Sequence, residues 1–264
     1  MKQKVNTILF SPHSDDIAYS LGGAVALNYF KNPLMITVFT RSAFSPRIKL
    51  TSEEEISDLR KREDDLFSKK TGLLLDTLPF PEPPLRGLKT DNEIFTANVE
   101  RDQIFDSVHR AIYKKIECFP DAVVLSPLAL GNHIDHQIVF KSCVKACNIL
   151  GNKLSFYEDV PYVSKLKLKQ IEDYVDDMDD NLSPTKINIT SVFDEKIENL
   201  HLYGTQIGKR IPDGVHSHSK RLAYSEYASD LLDKAWSYSM IQYLYSFYSR
   251  LNRSKMYERI WQKV

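Results

Sequence analysis

Residues 5–23 read VNTILFSPHSDDIAYSLGG, and this stretch decides the fold. VNTILF (5–10) is a short apolar run of the kind found in a parallel strand buried on both faces. From Asp16 onward the period changes. Ile17, Leu21, Ala24, Val25 and Leu27 fall on or near one helical face. The turn between strand and helix holds His13, Asp15 and Asp16, more ionisable groups than a turn requires for folding. Adjacent carboxylates repel each other and call for a compensating charge or a supply of hydrogen bonds. A bound metal cation is one such compensation.

The same alternation continues along the chain. LMITVFT (34–40) reads as a second strand. TSEEEISDLRKREDDLFSKKTG (51–72) reads as a helix with legible ends: Ser52 and Glu55 have capping-box spacing, acidic residues crowd the first turn, lysines the last, and Gly72 stops it. DTLPFPEPPLRG (76–87) is a proline-punctuated loop whose start is a candidate short strand. A helix is expected over 97–117, a buried strand at DAVVLSP (121–127) and a helix at HIDHQIVFKSCVKACNIL (133–150). KLSFYEDV (153–160) is strand-like, and KINITSVF (186–193) alternates as a half-buried or edge strand does. The fold class this predicts is α/β, a Rossmann-like α/β/α sandwich around a mostly parallel sheet. No linker interrupts the chain, so residues 1–264 are read as a single domain. Its aromatic-rich end (230–264) is read as a helical segment docked on the core.

Composition narrows the function. Hydrophobic residues make up 42% of 264, enough for a substantial core, and Lys+Arg and Asp+Glu both number 35. A chain with zero formal net charge lacks the basic excess of nonspecific nucleic-acid binders, so no nucleic-acid partner is expected. The apolar run near the start is too short for a signal peptide, and no stretch approaches the roughly 20 apolar residues of a membrane span. A soluble cytoplasmic protein is the expectation. Cys118, Cys143 and Cys147 have no CxxC spacing and read as buried free thiols. No G-x-G-x-x-G follows the first strand, no DxD is present there, and no G-x-S-x-G elbow occurs.

Open parallel sheets place their functional loops at the carboxyl ends of strands. PHSDD (12–16) follows the first strand, and GNHIDH (131–136) closely follows the run at 121–127. Both loops should open on one sheet edge. His13, Asp16 and His136 then form a two-histidine, one-carboxylate set that leaves a coordination position for water around Zn²⁺. Asp15 and His133 remain as supporting or catalytic groups, a carboxylate being able to take a proton from water and an imidazole to stabilise an oxyanion. Asp135 is placed to hold His133 in its tautomer. A DD pair that merely caps a helix is the structural alternative.

The paired PHSDD and GNHIDH resemble the signature of the LmbE/PIG-L family of zinc-dependent deacetylases, usually PHPDD and HPDH. RKREDDLFSKKTG (60–72), FYEDVPY (156–162), KIENLHLYGTQ (196–206) and YSEY (224–227) resemble further family landmarks. The resemblance implies that His13, Asp16 and His136 bind zinc. It makes Asp15 the general base and His133 the oxyanion stabiliser, with Asp135 behind it. The implied reaction removes an N-acetyl group from an N-acetylglucosamine-type amino sugar or its conjugate. The alternatives are an amidase of a thiol-sugar conjugate, a deacetylase of a natural-product scaffold, or a non-catalytic Rossmann-like module. The chain departs from the family at Ser14 and Ile134, where proline is usual, and at Gly131, where some members have tyrosine. No tyrosine is therefore assigned to the oxyanion. Segments 41–52 and 208–221 are expected to line or cover the cleft. His216 and His218 are read as exposed loop histidines, and Arg41, Arg47 and Arg62 as candidate sugar or phosphate contacts.

Overall fold

The structure, a computed structural model, describes residues 4–44, 46, 47, 49, 52–207, 213–223 and 255–263. The opening stretch folds as strand β1 (Thr7–Ser11), with every residue buried, and helix α1 (Asp16–Ala26). Strand β2 (Pro33–Thr37), helix α2 (Glu53–Thr71) and strand β3 (Leu74–Thr77) follow. Two short helices come next, α3 (Asp91–Thr96) and α4 (Phe105–Glu117), so the helix expected at 97–117 begins later than its apolar pattern. Then come β4 (Val123–Pro127), α5 (Ile134–Leu150), β5 (Leu154–Tyr157), α6 (Leu168–Met178), β6 (Leu182–Asn188), α7 (Phe193–Leu200), α8 (Asp213–Arg221) and β7 (Tyr257–Lys263).

The seven strands form one sheet in the order β3-β2-β1-β4-β5-β7-β6. The first five are parallel, and β7 runs antiparallel to both β5 and β6. Alternate residues of β1 feed opposite faces. Leu9 joins the cluster under α1, α6 and α7, whereas Ile8 and Phe10 join the cluster under α4 and α5. This is the α/β fold with a mostly parallel sheet flanked by helices that the alternation predicted. β6 is an edge strand, but it runs 182–188 where 186–193 was expected, since residues 190–192 form a 3₁₀ turn and α7 begins at Phe193. Pro184 within it is tolerated because an edge leaves one row of backbone donors unused.

The helix ends follow local chemistry. Ser52 Oγ accepts the Glu55 amide and Gly72 closes α2 at φ +75°. The paired glycines of α1 serve close packing. A Cβ at Gly23 would lie 2.7 Å from Ile189, and one at Gly22 would lie 3.3 Å from Lys196 Cγ. Their amides matter too: the Glu258 carboxylate accepts the Gly23 and Ala24 N–H groups at 2.8 Å each and bonds Lys196 Nζ at 2.8 Å.

Two expectations are corrected. The aromatic segment 230–264 is not helical at its end: residues 257–263 form β7, inside the sheet. The pattern misled because Glu258 and Arg259, charged residues that suggest a solvent face, are buried in ion pairs with Lys196 and Glu158. The remainder of that segment up to residue 254, and YSEY (224–227), lie outside the described residues. Among the cysteines, Cys143 and Cys147 are buried but Cys118 is exposed. No helix among the described residues is long and apolar enough to cross a membrane.

Candidate active site

β1 lies between β2 and β4, so the chain leaves it toward one side of the sheet and later returns on the other. The crevice at the carboxyl ends of β1 and β4 is the topological switch point, where open sheets bind ligands. The loops carrying His13 and His133 meet there.

After β1, Asp16 starts α1 and its carboxylate reaches back to accept the His13 amide at 2.7 Å. Negative charge is favoured at this helix N-terminus. Asp15 holds the N-cap position, yet its side chain makes no capping bond, so the carboxylate is not consumed by the helix. After β4, Ala129 and Asn132 turn the chain with φ of 60° and 58°, and His133 caps α5. His133 Nδ1 accepts the Asp135 amide at 3.2 Å. The capping contact leaves the proton on Nε2.

His13, Asp16 and His136 converge. Asp16 Oδ2 lies 3.4 Å from His13 Nδ1 and 3.3 Å from His136 Nε2, and the two rings are 5.3 Å apart. Each ring is fixed by its far nitrogen. His13 Nε2 bonds Asp135 Oδ2 at 2.9 Å, and His136 Nδ1 bonds Asp159 Oδ1 at 2.6 Å. The near nitrogens are thus free as lone-pair donors, and His136 Nε2 is a buried nitrogen with no hydrogen-bond partner. Such an orphan, beside a carboxylate and a second imidazole, fits a metal cation. His13, His133 and Asp135 form a second group of potential ligands, but there the His13 nitrogen and the Asp135 oxygens are engaged with each other and with Arg86, and His133 Nδ1 caps α5.

The electrostatics agree. Burial works against protonation of His13 and His136. The hydrogen bonds to Asp135 and Asp16 outweigh it for His13, which rises to about 9; the Asp16 charge and the Asp159 bond do so for His136, which rises to about 10. Asp16 is held well below the carboxylate range despite burial, first by His136. The environment is one of concentrated negative charge. Asp15 goes the other way: burial and the Asp16 charge push it up to about 6. Burial and the neighbouring His13 charge lower His133 to about 3, so its imidazole is neutral.

Several expectations about individual residues need correction. Asp135 does not orient His133 through its carboxylate. It orients His13, and its other oxygen takes Arg86 Nη2 at 2.7 Å. Arg86 also reaches Asp102 at 3.0 Å. Arg60, which was given no role, lines the cleft, 4% exposed and bonded to Glu82 and Ser42; of the candidate contacts, Arg41 pairs with Glu53 on the surface and Arg47 and Arg62 are exposed. His218 is not an exposed loop residue. It lies on α8, 3% exposed, and bonds Glu158 at 2.6 Å because Arg259 and Trp261 leave that carboxylate one free oxygen. His216 is exposed, on the same helix, with its ring against Phe193.

The cleft above these groups has a volume of about 330 Å³ and is walled by Tyr19, Phe44, Phe95 and Tyr162. Segment 41–52 contributes Phe44 and Pro46, as expected. Gln206 reaches the cleft because the YGTQ stretch is tied to α2. Tyr203 bonds Asp64 at 3.1 Å, and Thr205 bonds Glu63 through its amide at 2.7 Å and its hydroxyl at 2.6 Å. Sequence reasoning gave no role to Asp159, Arg86, Arg60 or Tyr162. Asp159 was within reach of the rule that found the others, since it follows β5 at the same sheet edge.

An open sheet with such a centre at its switch point defines a class of α/β proteins with a metal-competent site. The description "PIG-L: GlcNAc-PI de-N-acetylase" matches residues 8–147, more than half of the chain, and the chain belongs to that deacetylase family. It is similar to the 2'-N-acetylparomamine deacetylase of Streptomyces fradiae, 29% identical over 219 residues, covering 81% of this chain and 78% of the relative. In fold it resembles the crystal structures of the A40926 pseudoaglycone deacetylase (TM-score 0.65, 18% identity, 99% and 98% of the two chains covered) and of a deacetylase of the teicoplanin biosynthesis pathway (TM-score 0.67, 18% identity, 98% of each).

Proposed function

We propose that this protein is a zinc-dependent N-deacetylase acting on an N-acetylated amino sugar carried in a larger conjugate. The observation that carries the reading is the convergence of His13 Nδ1, Asp16 Oδ2 and His136 Nε2 with both far ring nitrogens fixed on carboxylates. The substrate class draws support from the relative's action on 2'-N-acetylparomamine.

Zinc held by these three groups supplies Lewis acidity that activates water and polarises the amide carbonyl. The protein's own residues do the rest. Asp15, unspent by the helix cap and raised toward neutrality, takes the proton of the attacking water. His133, neutral and protonated on Nε2, donates to the carbonyl oxygen as negative charge builds on it. Asp15 then returns the proton to the nitrogen as the C–N bond breaks, so one amide and one water give an amine and acetic acid, which ionises to acetate in solution. Asp135 and Asp159 hold the two ligand rings in their tautomers.

Acetate release from N-acetylated amino sugars, free and linked to a second ring, tests this. The expected result is release that stops on chelation and returns with zinc. A protein that binds no stoichiometric transition metal, even after reconstitution, overturns the metal assignment.

A further inference from the structure

Gly131 does not adopt a left-handed φ, so its own backbone does not call for glycine. What it allows is an approach: a Cβ there would lie 2.5 Å from Cγ and 2.6 Å from Cβ of Tyr162. Tyr162 comes from another loop, the one that follows β5, and its ring fills the space left by the absent side chain. The ring stands edge-on to His136, with centroids 5.4 Å apart at 85°, and 6.3 Å from His133. It lines the cleft together with His13, Asp15 and His133. Its hydroxyl makes no hydrogen bond among the described residues, although the carboxylates of Asp16 and Asp15 act on it more strongly than any other charge. That hydroxyl is open to the cleft that Tyr162 lines and is available to a molecule bound there.

We propose that Tyr162 is a catalytic residue, its hydroxyl donating a hydrogen bond to the carbonyl oxygen of the scissile acyl group beside His133 Nε2–H. The proposal rests on the deacetylase reading above. Two donors suit the chemistry, because the oxygen of an attacked amide takes on a full negative charge and accepts more than one hydrogen bond, of which a neutral imidazole supplies one. No proton leaves the phenol in this role. Gly131 then has a positioning role, since only an absent side chain admits the ring.

The test compares zinc-loaded wild type, Tyr162→Phe, Gly131→Ala and the double variant. Each is assayed for acetate release and for binding of a methylphosphonamidate of the amino sugar, whose tetrahedral phosphorus mimics the attacked carbon. Tyr162→Phe should lower kcat about 100-fold and weaken the phosphonamidate by a similar factor, with KM within threefold of wild type and zinc content unchanged. Gly131→Ala should show the same loss, and the double variant no further one. Wild-type kcat and phosphonamidate affinity in Tyr162→Phe overturn the role of Tyr162 and leave the deacetylase reading standing. A rise in KM alone also overturns it, making the tyrosine a substrate contact. A wild-type enzyme that neither releases acetate nor binds the phosphonamidate overturns the deacetylase reading, and Tyr162 with it.

Discussion

Asp15 and Asp16 are neighbours with opposite fates. Asp16 gives its carboxylate to the His13 amide and to the two imidazoles, while Asp15 stays unpaired and near neutrality. Asp15→Asn should therefore retain zinc by elemental analysis while kcat falls by about 10²–10⁴-fold. Retained turnover with lost metal would reverse the two roles. Asp159 reaches the ligand set through His136, while its other oxygen accepts the Leu130 amide at 3.4 Å. Asp159→Ala should weaken zinc about 10–100-fold in a chelator competition, through loss of ring orientation. The first two ligand loops were legible because their residue types are unusual for turns. Asp159, just past β5 at the same sheet edge, was within reach of that reading and was passed over; Arg86 was not, because a guanidinium in a proline-punctuated loop that meets Asp102 and Asp135 only in the fold leaves no spacing to read. Asp135 was read with the right chemistry but the wrong partner. Sequence neighbours suggested His133, and the fold supplied His13 from 122 positions away.

At the level of the element, α5 joins stability to chemistry in one residue. His133 is its N-cap and, in the proposed mechanism, the donor to the oxyanion. His133→Ala should lose about 1 kcal/mol of stability as well as activity. His133→Asn, which restores a capping oxygen, should return the melting temperature but not kcat; thermal unfolding beside turnover separates the two. In α1 the paired glycines are a packing surface. Gly23→Ala should cost about 1–3 kcal/mol in denaturant unfolding, as its Cβ would meet Ile189. Helix limits marked by caps, as at Ser52 and Gly72, were legible; the start of α4 and the strand β7 were not, since an apolar stripe and a run of aromatics carry no boundary of their own.

Across the whole molecule, buried charge knits the late elements to the sheet. Glu158 accepts from Arg259, Trp261 and His218, and Arg221 of α8 bonds the Val163 and Leu166 carbonyls and packs on His218. Burial opposes ionisation of Glu158, but Arg259 and His218 overcome it and hold the carboxyl at about 2. Its stabilising contribution is complete above the ordinary glutamate value and is lost as pH falls toward 2. His218, lowered chiefly by burial, acts in the same direction: the unfolded chain takes up its proton first, so stability declines as pH falls below about 6.5. Denaturation midpoints measured from pH 7 to pH 3 should fall, and Glu158→Gln should flatten the lower part of that curve. The parallel half of the sheet was plain from alternating strands and helices. The antiparallel pairing of β7 was hidden because that strand carries Glu258 and Arg259, charged residues that are buried where a strand pattern would be apolar.

That last pairing has a consequence for how the chain comes to be folded. β7 sits between β5 and β6, so while the ribosome is still making residues 200–250 both of those strands expose open edges. Nascent chains halted before residue 257 should therefore be sticky rather than merely unfinished, and deletion of 255–264 should yield aggregates in place of a smaller folded enzyme.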